Sequence, residues 1–270
     1  KFCFHTQKSK TTLTLENAQR GIKLLKEAGC EKINFAGGEP FMDQKFLGSL
    51  CKTSHDLGLA VSIITNGSRI TKRWMDQYGH FVDILGVSVD SFNSKTNAAI
   101  GRGGDVNNKH AERMFRARDM CAEHGIIFKM NTVVCSLNWK EDMTEQVKKL
   151  DPKRWKVFQV LVLEGENSGK TGDLRDARPL VVTNDQYWNF VHYHQGQLPQ
   201  LIPESNDVMQ NSYLLLDEKM RFLDSSGGRK VPSESILTVG VSDALKQCGF
   251  DEDMFYLRGG VYDWHRERAP

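Results

Sequence analysis

Three short segments of the sequence each carry two polar side chains two residues apart, in stretches that alternate as strands do. Residues two apart on a strand point to the same face and lie about 7 Å from each other, so each pair shares one side of its strand. The pairs are Lys32 with Asn34 in "KINF", Lys129 with Asn131 in "FKMN", and Arg154 with Lys156 in "RWKVFQ". Lysine and arginine are the usual donors to phosphate oxygens, so this pattern is typical of a phosphate site.

For any one of these lysines, a simpler interpretation is a cation that reaches the surface at a strand end or pairs with an acid such as Glu31 or Asp151. That interpretation weakens when three strands repeat the pattern, because a buried ion without a counter-charge is strongly destabilising. Four cations that converge inside a fold need a polyanion there. We therefore predict a site for a triphosphate.

The elements that would position these pairs alternate along the chain. Helical periodicity covers 15–28, 46–57, 72–78, 110–124 and 143–150, and strand patterns follow at 32–35, 60–65, 83–89, 126–134 and 155–163. Helices and strands in alternation predict a parallel sheet with right-handed crossovers. With one further strand expected upstream of Lys1, the fold class is α/β, a partial (β/α)6 barrel.

The pattern changes after Glu164, where a polar loop is followed by one clear helix at 184–194 and a Gly-rich "SSGGRK". We predict a barrel over 1–165 and a C-terminal α+β extension over 166–270 that caps it. Glycines and cations in this extension suggest closure over a nucleotide, with Arg229, Lys230 and Arg258 as candidate phosphate contacts.

A second set of residues follows the strands directly. "AGGEP" comes after the first strand, "TNGS" after the second and "SVDSF" after the third. Barrel enzymes build their sites at the carboxyl ends of their strands. The tetrapeptide GGEP taken alone is also compatible with an ordinary turn. Neither GxGxxG nor GK[ST] is present to indicate a phosphate loop.

Composition sets the broad class. Thirty-six basic and 34 acidic residues give a net charge of +2, so no overall field favours nucleic acid or an acidic membrane. The six cysteines show neither a CxxC spacing nor a disulfide framework, which favours a reducing, cytoplasmic compartment. No apolar run approaches the roughly 20 residues of a membrane span. We expect a piece of a longer protein that acts as a monomer, with no membrane segment in this chain.

"KFCFH" resembles the end of the Cys-x-x-x-Cys-x-x-Cys loop of the radical S-adenosylmethionine superfamily, and "GGEP" resembles that superfamily's methionine-binding motif. Nearly the whole chain is similar to the viperin-like enzymes, an antiviral family within it. Segments that carry the similarity include "KEAGCEKINFAGGEPF", "IGRG", "RWKVFQ", "EGEN", "PESN" and "SYLLLDE". Ala36 departs from the vertebrate pattern, in which a serine usually precedes GGEP.

The resemblance implies a [4Fe–4S] cluster and S-adenosylmethionine as cofactors, an external electron donor, and CTP or UTP as substrate. The implied reaction abstracts the ribose 4′-hydrogen and removes the 3′-hydroxyl, which gives the 3′-deoxy-3′,4′-didehydro nucleotide. Two cluster cysteines would lie upstream of Lys1.

The resemblance also assigns residues. It places Cys3 on iron, and it places near S-adenosylmethionine the residues Phe2, His5, Gly37, Gly38, Glu39, Asn66, Ser88 and Arg102. The four cations match the family's triphosphate ligands, and Asn34 and Asn131 are left for the ribose or base. Tyr213 matches a tyrosine proposed to donate a proton or hydrogen near the sugar, although a tyrosine that packs the cap on the barrel is equally compatible with the sequence.

Two other functions remain open at this point. A peptide-modifying radical enzyme would usually carry additional cluster cysteines in its C-terminal region, where this chain has Cys248 alone beyond Cys135. A non-enzymatic nucleotide-binding or interaction scaffold leaves little trace in one sequence. Against the scaffold stands the cost of four converging cations.

Overall fold

A parallel sheet of six strands organises the chain, of which a computed structural model describes residues 1–5, 13–102 and 109–264. Each strand pairs with the next in chain order. The strands are β1 (Lys32–Phe35), β2 (Ala60–Thr65), β3 (Ile84–Ser88), β4 (Ile127–Val134), β5 (Arg154–Gln159) and β6 (Leu201–Glu204). This order and direction confirm the predicted partial (β/α)6 barrel.

Helices connect and cover the strands on one face. They are α1 (Leu15–Glu27), α2 (Gln44–Asp56), α3 (Lys72–Tyr78), α4 (Ser94–Ile100), α5 (Lys109–Glu123), α6 (Thr144–Leu150) and α7 (Asn184–Gln195). Threonine caps start several of them: Thr14 Oγ1 accepts from Asn17 N at 3.2 Å, and Thr183 forms a capping box with Gln186. Of these seven helices, α4 is the one that the sequence pattern did not indicate.

The two faces of the sheet differ in composition. Toward the helices the strands present buried apolar side chains: Val61, Ile63, Leu85, Val87, Met130, Trp155 and Val157. Two buried polar contacts lock this face, from Trp155 Nε1 to Thr132 Oγ1 and from Tyr187 OH to the Val157 carbonyl, each at 2.8 Å. The opposite face lies inside the barrel, and the six side chains predicted from strand parity belong to it.

The sixth strand of the observed sheet comes from an unexpected part of the chain. β6 pairs with β5 and lies beyond residue 165, in the region assigned to the extension. Its sequence "LIPE" contains a proline, which weakens a strand pattern but is tolerated at a sheet edge. The strand expected upstream of Lys1 and the domain boundary at residue 165 stay predictions.

The rest of the C-terminal region forms an α+β unit beside the barrel. It contains α8 (Asn206–Met209), the antiparallel hairpin β7 (Arg221–Asp224) and β8 (Val231–Ser235), then α9 (Ile236–Val239), α10 (Val241–Leu245) and α11 (Glu252–Leu257). A second core cluster joins this unit to the barrel, since Met220, Phe222 and Ile236 pack with Ala18 and Ile22 of α1. Within the described ranges no helix combines the length and apolar character that a bilayer crossing requires.

Candidate functional site

Strand register brings the four predicted cations onto one surface of the barrel interior. Lys129 is the register partner of Arg154, and Asn131 is the partner of Lys156, on β4 and β5. Lys32 reaches the same place from β1, because its Nζ and Lys129 Nζ donate to one oxygen, the hydroxyl of Tyr262, at 2.7 and 2.8 Å. The side chains of Lys129 and Lys156 are buried. Strand parity therefore predicted this convergence correctly.

The chain's own C-terminal segment lies over these cations. The Arg154 guanidinium stands 4.3 Å from the centre of the Tyr262 ring, and Arg154 Nη2 donates to the Gly259 carbonyl at 2.8 Å. Trp264 packs edge-on against Tyr262, with ring centres 6.0 Å apart. A phenol oxygen and a carbonyl thus accept the hydrogen bonds that phosphate oxygens would accept.

A buried carboxylate sits at the other side of the cluster. Glu204 on β6 has no exposed surface, and its carboxylate contacts Lys156 Nζ and accepts from the Tyr213 hydroxyl. Arg258, which is also buried, places Nη1 3.7 Å from the Glu204 carboxylate and its guanidinium carbon 3.7 Å from the Tyr213 ring centre. Among the described residues the pocket therefore holds five basic side chains and one carboxylate.

Crowding of like charges shifts the protonation of the pocket. Burial, followed by Lys156, Arg154 and Arg258, lowers the pKa of Lys32 to about 7. Burial and the charges of Lys32, Lys156 and Arg154 lower the pKa of Lys129 to about 6. Burial also lowers the pKa of Lys156, to about 8, against the opposing effect of Glu204. Two of the lysines therefore lose much of their charge at neutral pH when no anion is present.

Four buried polar atoms of the pocket lack a hydrogen-bond partner among the described residues. Two belong to charged groups, Arg154 Nε and Glu204 Oε1, and two to neutral ones, the Ser62 hydroxyl and Asn131 Oδ1. Ser62 lies on the inner face of β2. Its register partner Asn34 lies on the same face of β1, where the Asn34 side chain is exposed. Buried polar groups are normally paired, so unpaired ones on the wall of a cationic pocket indicate a polar ligand there.

The strand-end motif "GGEP" is held by its glutamate. Glu39 Oε1 accepts from the Thr65 hydroxyl at 2.6 Å and from Phe41 N at 3.2 Å, and Glu39 Oε2 accepts from Asn66 N at 2.8 Å. The carboxylate thus braces the end of β1 against the end of β2. The role that the sequence predicts for it, accepting from a ligand ammonium, stays a prediction beside the brace that the structure shows.

The glycines before this glutamate are exposed. Gly38 has a φ of +58°, which favours glycine, and a Cβ added at Gly37 or Gly38 would meet no described atom within 4 Å. Backbone groups of this loop are therefore open to a ligand. Ser88 ends β3 half-buried, in register with Asn131, and Asn66 Oδ1 accepts from Ser68 N in a local turn.

Arg102 belongs to the same end of the barrel. Its Nε donates to the buried carboxylate of Asp90, whose second oxygen accepts from Val133 N at 2.9 Å. Burial alone would lower the pKa of Arg102, but Asp90 and, to a smaller extent, Cys3 and Glu39 raise it. Arg102 therefore lies within electrostatic reach of both the cysteine and the GGEP loop, as the predicted cofactor site requires.

The first five residues are tied to this mouth of the barrel. The Phe2 ring is 5.8 Å from the Arg102 guanidinium carbon, and its carbonyl accepts from the fully buried Asn167 at 2.9 Å. Lys230 Nζ lies 2.7 Å from the Phe4 carbonyl oxygen and 2.8 Å from His5 Nδ1. Lys230 thus holds the cysteine segment, although the sequence makes it a candidate for the nucleotide. Arg229 forms a backbone bridge with Glu164, and of the three candidates Arg258 lies at the cationic pocket.

These residues fit the two cofactors that the resemblance implies. Cys3 is exposed, and its thiol donates to the His5 carbonyl at 3.0 Å. Among the described residues no three His, Cys, Asp or Glu side chains are grouped for a metal, and the two cluster cysteines expected upstream of Lys1 stay a prediction. The open Gly37–Gly38 backbone and the half-buried Arg102 guanidinium suit the amine and the carboxylate of a methionine moiety.

An open parallel barrel with an exposed cysteine and a glycine-rich acidic turn near its strand ends is typical of the radical S-adenosylmethionine class. The Radical SAM superfamily matches residues 1–150. The solved structure of native anSMEcpe with bound AdoMet has a TM-score of 0.64 at 14% identity and covers 97% of this chain and 80% of its own, which supports the fold.

Two relatives narrow the class. The S-adenosylmethionine-dependent nucleotide dehydratase RSAD2 of Danio rerio is 50% identical in an alignment that covers 98% of this chain and 74% of that protein. The S-adenosylmethionine-dependent nucleotide dehydratase of Flammeovirga pacifica is 34% identical in an alignment that covers 98% of this chain and 91% of that protein. The chain belongs to the S-adenosylmethionine-dependent nucleotide dehydratase family of the radical SAM superfamily, whose members use a [4Fe–4S] cluster and S-adenosylmethionine.

Sequence reasoning missed several residues that build the site. Glu204 and Tyr262 contact the cations, and Asp90 and Asn167 hold the strand-end loops. Glu204 lies in "PESN" and Asn167 in "EGEN", segments that carried the family resemblance without a physical role. Parity along β6 would have found Glu204, had its short strand been recognised.

The lowered pKa values of Lys32 and Lys129 predict that a nucleoside triphosphate binds with proton uptake. A polyanion favours the charged lysines, so binding at pH 7.5 should take up about one to two protons, and affinity should fall as pH rises from 7 to 9. Calorimetry in HEPES and in Tris measures the number, because the two buffers release protons with different enthalpies. Lys32→Gln should reduce the uptake, and binding without uptake in the wild type would contradict the partial loss of charge on these two lysines.

Proposed function

We propose that this protein dehydrates a pyrimidine nucleoside triphosphate, CTP or UTP, to its 3′-deoxy-3′,4′-didehydro analogue. The observation that carries the proposal is the cationic pocket of Lys32, Lys129, Arg154, Lys156 and Arg258 on the inner face of a radical SAM barrel. Fully charged, these five side chains and Glu204 have a net charge of +4. A nucleoside triphosphate carries about four negative charges near neutral pH.

The two ends of the barrel suggest how the substrate lies. The four cations on strands occupy the first half of β1, β4 and β5, whereas GGEP, Asn66 and Asp90 come after their strands end. The triphosphate would therefore extend into the barrel, with its ribose toward the strand ends. Asn131 and Ser62, with their unpartnered oxygens, line the wall beside the cations and are suited to bind the hydroxyls or the base.

When bound, the cluster and S-adenosylmethionine supply a 5′-deoxyadenosyl radical that abstracts hydrogen. This chain's residues place the substrate and exclude competing contacts. The cations fix the triphosphate by charge-assisted hydrogen bonds, Arg102 and the open glycine backbone fix the methionine moiety, and Tyr213 lies between Lys156 and Glu204 within the nucleotide pocket. Tyr213 is proposed as the group nearest the sugar that exchanges a proton.

The alternative is a scaffold of the same fold without enzymatic activity. Five buried or half-buried cations oppose a scaffold that binds no anion, since they would destabilise it, but they do not separate the enzyme from a scaffold that binds nucleotide without turnover. The deciding experiment reconstitutes the protein with its upstream cysteines present and measures 5′-deoxyadenosine and dehydrated nucleotide in the presence of each common ribonucleoside triphosphate. Formation of both products with CTP or UTP supports the proposal, and nucleotide binding without either product supports the scaffold.

Binding of nucleotide and of S-adenosylmethionine should be separable by mutation. Lys129→Gln removes a buried donor to phosphate and should weaken triphosphate binding by roughly 1.5–3 kcal/mol, the range of a charge-assisted hydrogen bond. Affinity for S-adenosylmethionine should remain unchanged, because Arg102 and the GGEP loop lie at the strand ends. Calorimetry with each ligand provides the measurement, and Lys148→Gln, on the exposed surface of α6, is the control. An equal loss for both ligands would rule out two separate sites.

The triphosphate should also displace Tyr262. The Tyr262 hydroxyl accepts hydrogen bonds from Lys32 and Lys129, and its ring packs against Arg154. The nucleotide therefore competes with this C-terminal segment for the three cations. Tyr262→Ala should then bind CTP or UTP more tightly, by about 3- to 30-fold. The reason is that in the wild type Tyr262 covers the cations in part of the molecules, which lowers the fraction able to bind nucleotide. Tyr256→Ala, at an exposed position of α11, is the matched control. Weaker binding by Tyr262→Ala would show instead that this side chain contacts the bound nucleotide.

We further propose a monomer that works in a reducing compartment such as the cytoplasm with an external electron donor. The described cysteines are all free, and four of the six are buried. Neither nucleic acid nor a membrane segment is part of the proposed activity.

A further inference from the structure

Glu204 presents a problem of charge in a pocket built for a polyanion. It lies on the inner face of β6, opposite Phe158 in register, and has no exposed surface. A buried carboxylate at this position repels the phosphates that the neighbouring cations attract. Glu204 does not neutralise the whole group of cations. The described hydrogen-bond partners of Lys32, Lys129 and Arg154 are Tyr262 and Gly259, in the C-terminal segment.

The contacts of Glu204 are selective. Its carboxylate forms an ion pair with the Lys156 ammonium and accepts a hydrogen bond from the Tyr213 hydroxyl. The Arg258 guanidinium lies 3.7 Å away. Arg258 in turn donates through Nε and Nη2 to the Ser212 carbonyl, the residue before Tyr213, at 3.1 and 2.8 Å. One carboxylate therefore fixes a lysine of the triphosphate site and the tyrosine proposed near the sugar.

Hydrogen-bond directions in this group follow from donor counts. The Tyr213 hydroxyl has a single proton, which it donates to Glu204, and its oxygen accepts from Lys156 Nζ at 2.8 Å. Its proton thus points to Glu204. A glutamine in place of Glu204 would keep the length and one acceptor oxygen but would remove the charge that holds Lys156.

We propose that Glu204 is a positioning residue, which keeps Lys156 charged for the triphosphate and orients the Tyr213 hydroxyl within the nucleotide pocket. The proposal rests on the function proposed above and adds to it a residue without direct contact to the reacting atoms. It assigns the carboxylate a role in how binding and turnover depend on pH, beyond its part in packing β6.

The charges that face Lys156 support this role. Arg154 on the same strand, Arg258 after α11, Lys129 on β4 and Lys32 on β1 all oppose its protonation, and Tyr213 contacts it without charge, since burial and Glu204 raise the pKa of Tyr213 well above its usual value. Glu204 is the group that favours the ammonium. Without it, Lys156 would join Lys32 and Lys129 in losing charge near neutral pH.

The test compares Glu204→Gln with Glu204→Asp and with Glu112→Gln, an exposed substitution on α5. Calorimetry of CTP and UTP in HEPES and Tris at pH 7.5, without S-adenosylmethionine, counts the protons taken up on binding. We expect Glu204→Gln to take up as much as about one more proton than wild type, and its affinity to fall more steeply above pH 7, by up to tenfold per pH unit for that proton. Glu204→Asp and Glu112→Gln should match wild type in proton number.

A proton number for Glu204→Gln equal to that of wild type would overturn the proposal. If Glu204→Gln does not fold, Glu204→Asp and Tyr213→Phe decide it through turnover in the reconstituted protein: in the Tyr213→Phe background the aspartate substitution should change only the KM for nucleotide, through Lys156, and losses of kcat that add would contradict a role exerted through Tyr213. If the wild type binds neither CTP nor UTP, the proposed function itself fails, a result distinct from an unchanged proton number.

Discussion

Mutual repulsion among four cations on the inner face of one parallel sheet, with Arg258 beside them, is the constraint on which the other features of this protein depend. Burial makes each charge more costly, and together with the neighbouring cations it lowers the pKa values of Lys32 and Lys129. The outer face supplies the stability that the inner face lacks. Its apolar strand residues pack under helices, and the buried hydroxyl and indole groups of Tyr187 and Trp155 are satisfied.

The loops at the strand ends must be held in place and still remain open to a ligand. Carboxylates and an amide do this by accepting from or donating to backbone groups. Glu39 joins the ends of β1 and β2, Asp90 joins the end of β3 to β4 and to Arg102, and Asn167 joins the segment after β5 to Phe2. A loss of cofactor binding in a Glu39 variant could thus arise from a displaced loop without any lost contact to the ligand.

Local patterns in the sequence predicted much of this architecture. Periodicity located five of the six strands and most of the helices, and strand parity placed Lys32, Lys129, Arg154 and Lys156 together because alternation on a strand is a strictly local property. Glu204 and Tyr262 escaped for two physical reasons. The strand of Glu204 is four residues long and contains a proline, and Tyr262 reaches the pocket from a segment more than 100 residues beyond β5, by contacts that no local period encodes.

The same burial of charge sets a limit on engineering. Substitutions of Lys32 or Lys129 by methionine or leucine would relieve repulsion in the nucleotide-free protein, so a library screened for heat resistance without nucleotide would enrich them. Such a screen would select against the nucleotide pocket at each round. Stabilising changes that preserve activity must be sought on the outer face and in the C-terminal unit, where packing and charge do not compete.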